Sequence, residues 1–227
     1  MCASAMTRLS SSPTYPQPQR LLEALTGPLP GRVGQARMAP VPYRGSMDDR
    51  WLAIAQDHRE AAVLLLLYPG AGARTTLALI RRPDYDGPHG GQVAFPGGRR
   101  EGDEALAQTA LRETHEELGV PPASIDLLGA LSPLYVRASN HLVYPFVGSA
   151  AARPDFVPCA REVAQVIETP LERLLDPRYR GFEVVRFETM GRVRVPYFAL
   201  PGTRIWGATG MILGEFLAVL EQAHAAA

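Results

Sequence analysis

The stretch from Asp103 to Leu118 constrains the fold most strongly, because it has the pattern of one amphipathic helix with a defined end. Asp103 is a good N-cap residue. Gly119 suits the left-handed position that follows a helix, and Pro121 and Pro122 prevent the helix from continuing. The residues at core-facing helical spacing are Ala107, Ala110, Leu111, Thr114 and Leu118.

Apolar and alternating runs on both sides of this helix predict an α/β fold with a mixed β-sheet. The run AAVLLLLY from Ala61 is far too short to span a membrane and indicates a buried strand. Two alternating runs around Met190 and Gly191 indicate a hairpin. The other predicted elements are strands at 75–82, 91–95, 125–131, 142–148 and 162–168, a helix that starts at Gln19 and stops at Gly27, a short helix near 170–176, and a last helix from about Ala208 to His224.

The chain is predicted to hold one domain over residues 20–227, after a disordered lead-in at 1–19 that is rich in Ser, Pro and Thr. Residues 28–46 are rich in Pro and Gly and are interpreted as a connector. Of the 227 residues 46% are apolar, which is enough for a core. The N-terminus lacks the apolar stretch of a signal peptide, so a cytoplasmic protein with no membrane attachment is expected.

Charge and composition exclude several classes of function. The formal net charge is zero, whereas proteins that bind polymeric nucleic acid usually carry a basic excess. All 23 basic residues are Arg, so no Lys is present to act as nucleophile, Schiff base or P-loop residue. Cys2 and Cys159 are the only cysteines and form no CxxC motif, which excludes a disulfide framework and argues against a structural zinc site.

Three carboxylates, Glu113, Glu116 and Glu117, lie near the end of the predicted helix, mostly away from its apolar stripe. Like charges three or four residues apart repel by about 0.2–0.5 kcal/mol per pair, and this end of a helix favours cations. The cluster is either an exposed charged face, offset by Arg112 and His115, or a site for a divalent cation. Mg²⁺ and Mn²⁺ prefer oxygen ligands, and a bound cation would turn the repulsion into attraction.

From Gly98 onward the sequence resembles the Nudix box, GX5EX7REUXEEXGU, in which U is aliphatic. Val120 fits the last U, and Thr114 stands at the first. The resemblance implies a Nudix-type α/β/α sandwich that hydrolyses a nucleoside diphosphate linked to another group, with Mg²⁺ or Mn²⁺ as cofactor. The fixed positions, all of which match, are Gly98, Glu104, Arg112, Glu113, Glu116, Glu117 and Gly119.

The resemblance also implies roles for single residues. Glu113, Glu116 and Glu117 correspond to metal ligands, with the carbonyl of Gly97 as a further candidate. Glu104 and Arg112 correspond to a structural pair. The catalytic proton acceptor is either a box glutamate, with Glu116 and Glu117 as candidates, or Glu162, which begins a predicted strand downstream.

The flanking sequences resemble the coenzyme A pyrophosphatase branch of the Nudix hydrolases. HGGQVAFPGGRREGD from His89 is similar to the HxGxVxFPGG segment that leads into the box in that branch. REVAQVIETPLERLL from Arg161 and IWGATGMIL from Ile205 are also similar to it. The branch signature is kept at Leu79, Arg82, Gly91 and 95–98, and it is changed at Ala78, Ile80, Pro83 and Gly87.

The likeness implies a small-molecule substrate, CoA or an acyl-CoA, and the balanced charge argues against a nucleic acid polymer. Gly87 replaces the second Arg of the signature, and Arg81 or Arg100 could substitute for it. Other nucleoside diphosphates remain an alternative: a dinucleotide, a nucleotide sugar or an oxidised nucleotide. A non-catalytic nucleotide sensor is a second alternative, and a homodimer is left open. The candidate substrate-binding residues are Arg81, Arg82, His89, Arg99 and Arg100.

Overall fold

The computed structural model describes residues 18–42, 54–84, 90–187 and 191–225. In these ranges the helices are α1 (Pro18–Thr26), α2 (Gly31–Ala36), α3 (Leu106–Leu118), α4 (Leu171–Leu175) and α5 (Gly207–Ala225). The strands are β1 (Val41–Pro42), β2 (Arg59–Pro69), β3 (Thr75–Arg81), β4 (Val93–Ala94), β5 (Gly97–Arg99), β6 (Asp126–Ala130), β7 (Leu134–Val136), β8 (His141–Ser149), β9 (Gln165–Pro170), β10 (Arg180–Phe187), β11 (Gly191–Leu200) and β12 (Thr203–Ile205).

Strand β2 is the centre of the larger sheet. It pairs antiparallel with β3 and β5 and parallel with β8, so the sheet is mixed. Its long apolar run is explained by burial on both faces. Leu65 and Leu67 pack into the core that α1 and α5 cover, whereas Leu64 and Leu66 pack into the core beneath α3. Helices therefore flank both faces of a mixed sheet, and the predicted fold class is confirmed.

In the smaller sheet β11 is the central strand, with β10 on one side and β1 on the other. Strand β12 also pairs with β11. The antiparallel register of β10 and β11 confirms the predicted hairpin, although Met190 lies outside the described residues. Helix α5 packs on β11, which joins this sheet to the core. The smaller sheet therefore lies on the α5 side of the molecule, away from α3.

Two parts of the element prediction are wrong. The predicted connector contains α2 and β1, because α2 packs on α5 so closely that a β-carbon on Gly34 would collide with the backbone of Glu215. Strand β9 begins at Gln165, so Glu162 lies in the preceding turn and does not start a strand. In the first case a tertiary contact overrides local propensity. In the second the backbone N–H groups of Glu162 and Val163 both donate to the Cys159 carbonyl and so form a turn. The short strands β5, β7 and β12 were not predicted.

Helix α1 begins at Pro18, inside the predicted lead-in, because proline suits the first position of a helix. The rest of that lead-in, residues 1–17, lies outside the described ranges. None of the helices that the structure describes is long and apolar enough to cross a membrane.

Candidate active site

Helix α3 begins at Leu106, three residues after the predicted N-cap at Asp103, which is wrong. The preceding turn delays the helix, because the Glu104 carboxylate accepts a hydrogen bond from the backbone N–H of Glu101. The Nε of Arg100 also donates to the Glu104 carbonyl at 2.7 Å. At the other end, Gly119 adopts the predicted left-handed conformation and donates to the His115 carbonyl at 2.8 Å.

The three clustered carboxylates have different surroundings. Glu117 is 2% exposed and belongs to the buried face of α3, so its prediction as part of a largely outward-facing cluster is wrong. Helix α3 packs across β2 and β5, and this packing covers its last turn on the sheet side. The side chain of Glu113 is 13% exposed, whereas that of Glu116 is 53% exposed. The cluster therefore extends from the core to the surface.

Two glycines make room for these carboxylates. The backbone N–H of Gly97 donates to the Glu117 carboxylate at 2.9 Å. Gly97 has φ 147°, and a β-carbon there would collide with the Ala62 carbonyl across the β2–β5 pairing. The Glu113 carboxylate occupies the space that a β-carbon on Gly98 would need. Gly97 therefore requires glycine, a side chain at position 98 would displace the Glu113 carboxylate, and the backbone of β5 forms the floor of the site.

Arg112 provides the cation that offsets the repulsion. Its guanidinium lies 2.9 Å from a carboxylate oxygen of Glu104, 3.0 Å from one of Glu113 and 2.9 Å from one of Glu116. It also donates to the Arg99 carbonyl at 3.1 Å. The pair that the sequence predicts between Glu104 and Arg112 is therefore present as a contact, and the same guanidinium joins two further glutamates to it.

The pKa values of the two inner carboxylates reflect their burial. Burial raises the pKa of Glu117 to about 7, against the hydrogen bond from Gly97 and the charge of Arg82, which lower it. Burial also raises the pKa of Glu113, although Arg112 lowers it. In contrast, hydrogen bonds from Arg112 hold the pKa of Glu104 at about 2. Glu113 and Glu117 are thus acids whose charged forms lack full compensation within the protein.

Glu162 lies close to these acids in space, although it is distant in sequence. Its negative charge contributes to the raised pKa of both Glu113 and Glu117, after burial as the main cause. Its backbone N–H donates to the Cys159 carbonyl at 2.9 Å, and the Cys159 N–H donates to the Glu117 carbonyl at 2.9 Å. The turn that carries Glu162 is therefore hydrogen-bonded to the end of α3.

Comparisons with known proteins agree with this arrangement. A family model of the NUDIX domain matches residues 58–185. The "Uncharacterized Nudix hydrolase NudL" of Yersinia pestis (strain Pestoides F) is 37% identical over 158 residues, which cover 69% of this chain and 77% of NudL. The chain belongs to the Nudix family. Nudix hydrolases act on nucleoside diphosphate derivatives and typically require a divalent metal.

Two solved Nudix structures show the extent of the likeness in three dimensions. RenU, a Nudix hydrolase from M. smegmatis, is 25% identical with a TM-score of 0.45 and covers 52% of this chain and 73% of its own. A MutT/nudix family protein from Enterococcus faecalis is 18% identical with a TM-score of 0.46, and the match covers 74% of this chain and 64% of its own.

The Nudix box residues fit a divalent cation by their chemistry. Carboxylate oxygens are the donors that Mg²⁺ and Mn²⁺ prefer, and the carboxylates of Glu113 and Glu117 have pKa values raised by burial. In the described ranges no three His, Cys, Asp or Glu side chains are already grouped as an ion site. Glu116 is turned towards Arg112, and Glu117 accepts from the Gly97 N–H. The ligand roles of Glu113, Glu116, Glu117 and the Gly97 carbonyl remain predictions.

The arginines predicted to bind substrate differ in the contacts that they already make within the protein. The charge of Arg82 lies close enough to Glu117 to lower its pKa. The guanidinium of Arg81 is 3.6 Å from Asp84, and Arg99 is exposed beside the Nudix box. Arg100, in contrast, lies 2.7 Å from the Glu60 carboxylate, so its contacts are those of a structural brace. His89 lies outside the described residues.

The brace around Glu60 was missed by the sequence analysis. Glu60 accepts from Arg100 at 2.7 Å and from the Tyr144 hydroxyl at 3.3 Å. The pKa of Glu60 is lowered, chiefly by its hydrogen bond with Arg100. The only signal in the sequence was a carboxylate at the start of an otherwise apolar strand. This brace fixes the turn between β5 and α3 to the central strand.

Replacing Glu104 with Gln should lower the free energy of unfolding by about 1–3 kcal/mol at pH 7, because Arg112 loses a bidentate charged partner. Since the folded pKa of Glu104 is about 2, below its usual 4.5, the carboxylate stabilises the fold above pH 4.5. That contribution is lost as the pH falls towards 2. Urea unfolding at several pH values should therefore show wild type and Glu104→Gln converging in acid.

Glu101→Gln is the matched control, because Glu101 is exposed in the same turn and its substitution should leave stability unchanged. Metal affinity should change less in Glu104→Gln than in Glu117→Gln. If Glu104→Gln instead abolished metal binding with an unchanged melting temperature, Glu104 would be a ligand and not a structural partner of Arg112.

Proposed function

We propose that this Nudix protein hydrolyses the diphosphate of CoA or an acyl-CoA, giving 3′,5′-ADP and phosphopantetheine or its acyl form. The observation that carries the hydrolase assignment is the pair of the half-buried Glu113 and the buried Glu117, held against the glycine floor with raised pKa values. The CoA assignment rests on the sequences that flank the box. A cytoplasmic location and a homodimer remain predictions.

In this proposal Glu113, Glu116, Glu117 and the Gly97 carbonyl hold the divalent cation. Such ions neutralise the diphosphate, orient the phosphorus and lower the pKa of a bound water. Hydrolysis adds the hydroxyl of water to one phosphorus, breaks the bridging P–O bond and transfers a proton to the leaving phosphate. Either Glu116, Glu117 or Glu162 accepts the proton of the attacking water.

The chain's own cations complete the substrate site. Arg81 is the last residue of β3, Arg82 follows it, and Arg99 lies beside the Nudix box. Their guanidinium groups suit bidentate contacts with phosphate. His89 is a further candidate. Because Arg100 is held by Glu60, we assign phosphate contacts to the other three arginines before Arg100.

The test is to assay a panel of substrates with Mg²⁺ or Mn²⁺. The products are separated and identified by mass spectrometry. CoA or acetyl-CoA should have a higher kcat/KM than ADP-ribose, NADH, diadenosine polyphosphates or 8-oxo-dGTP. Glu117→Gln protein, purified in the same way, controls for contaminating phosphatases. Good turnover of another diphosphate without CoA turnover would reject the CoA assignment, and binding without turnover of any of them would favour a nucleotide sensor.

A further inference from the structure

The segment between β8 and β9, residues 150–164, is a long loop with a fixed path. Loops of about 12–15 residues without regular structure are uncommon in compact domains and usually have a function or are disordered. This loop is anchored at both ends: the Ala150 N–H donates to the Leu67 carbonyl, and the Ala164 N–H donates to the Arg81 carbonyl, each at 2.9 Å. Such anchoring indicates a loop whose position matters.

The middle of the loop is attached to the catalytic helix through the backbone. The Val157 N–H donates to the Leu118 carbonyl at 2.8 Å, and the Cys159 N–H donates to the Glu117 carbonyl at 2.9 Å. Carbonyls in the last turn of a helix have no partner within the helix, so the loop satisfies two of them. The turn that bears Glu162 follows immediately, and the side chain of Val163 is buried beneath it.

A group of four side chains ties the first half of the loop to the central sheet; we call it the latch (Tyr68, Arg153, Phe156 and Glu168). Arg153 binds Glu168 of β9 with two hydrogen bonds, of 2.8 and 2.7 Å. The buried Tyr68 of β2 donates its hydroxyl to the same carboxylate at 2.9 Å. The ring of Phe156 packs edge-on against Tyr68, with centroids 5.7 Å apart, and lies under the Arg153 guanidinium.

The ion pair of the latch contributes little to overall stability. The side chains of Arg153 and Glu168 are 49% and 35% exposed, and exposed ion pairs contribute little to unfolding free energy. Its effect is local, because Phe156 directly precedes the residue that bonds to the Leu118 carbonyl. Fixing Phe156 on the sheet therefore fixes the register in which the loop meets α3.

We propose that the latch is a set of positioning residues, with Arg153 and Phe156 holding the 150–164 loop so that Glu162 stays beside Glu113 and Glu117. This inference rests on the proposed function, in which Glu162 takes part in hydrolysis. In this proposal the latch acts through the loop, because its hydrogen bonds and ring contacts join its own four members.

The test is a double-mutant cycle on kcat with Arg153→Gln, Phe156→Leu and Glu162→Gln. Each latch variant should lower kcat about tenfold in the wild-type background, as displacement of a reacting group does, with KM unchanged. In the Glu162→Gln background neither should lower kcat further. Arg204→Gln is the matched control: Arg204 pairs with Glu183 at similar exposure, 50% and 42%, on the smaller sheet, and its loss should leave kcat unchanged.

Hydrogen exchange gives a second readout that needs no turnover. Both latch variants should speed exchange at the amides of Val157 and Cys159, while α5 stays protected as in wild type. Unchanged exchange would overturn the latch, as would equal losses of kcat in both backgrounds or a kcat like that of Arg204→Gln. A Glu162→Gln enzyme with full activity would overturn this inference alone, whereas a wild type inactive on every diphosphate would overturn the proposed function.

Discussion

Glu117→Gln should lower kcat on the order of 10²-fold or more while the protein stays folded. Glutamine keeps an oxygen that can accept from the Gly97 N–H but carries no charge, and preorganised electrostatic groups of this kind contribute at least that factor. Glu116→Gln should lose most of kcat as well, and chelation should abolish the activity of the wild type. Steady-state kinetics at saturating Mg²⁺ measures the effect.

The control is Glu23→Gln, the same substitution at an exposed position of α1 on the far side of the sheet, which should leave kcat unchanged.

Metal-free Glu117→Gln should also unfold at a higher temperature than metal-free wild type near pH 8. The folded pKa of Glu117 is raised to about 7, so its ionisation weakens the fold as the pH rises from 4.5 through 7. If Glu116→Gln and Glu117→Gln both kept kcat within a factor of two of wild type, the carboxylate cluster would have no part in hydrolysis.

Dephospho-CoA should be cleaved roughly tenfold or more less efficiently than CoA. The two substrates differ by the 3′-phosphate, and a hydrogen bond to a charged group contributes about 1.5–3 kcal/mol. Arg is the only strong cation in this chain, so we expect an arginine to provide that contact. The ratio of the two kcat/KM values measures the effect directly.

Single substitutions would locate the contact. We would compare Arg81→Gln, Arg82→Gln and Arg99→Gln. The variant that lacks the arginine in contact with the 3′-phosphate should bring the ratio of kcat/KM for CoA to that for dephospho-CoA close to one, without lowering kcat/KM for dephospho-CoA. Arg186→Gln, at an exposed position of the smaller sheet, is the control. Equal rates on both substrates for wild type would mean that the 3′-phosphate is not recognised.

The sequence predicted those features that depend on local chemistry. The end of α3 at Gly119, the buried strand around Leu64 and the β10–β11 hairpin all follow from residue type and spacing. The contact between Glu104 and Arg112 was expected from the resemblance to the Nudix box. Each of these features is determined by residues that are close together in sequence or that belong to a motif of fixed length.

Features that depend on distant contacts were not predictable in this way. The burial of Glu117 results from the packing of α3 on β2 and β5, and no periodicity shows how deep a helix lies. Helix α2 exists because Gly34 fits against α5. The latch joins β2, β9 and the 150–164 loop, so its four residues are linked only after the sheet has formed.

The ion pairs of Arg112 also bear on how the protein matures. Because one guanidinium pairs with Glu104, Glu113 and Glu116, it offsets part of their mutual repulsion and holds the three side chains together without a metal ion. The same guanidinium, which is always charged, occupies oxygens of Glu113 and Glu116, so a cation bound at these carboxylates would have to displace it. In the proposed function, metal binding would therefore follow folding and would exchange the Arg112 contacts of Glu113 and Glu116 for contacts with the metal.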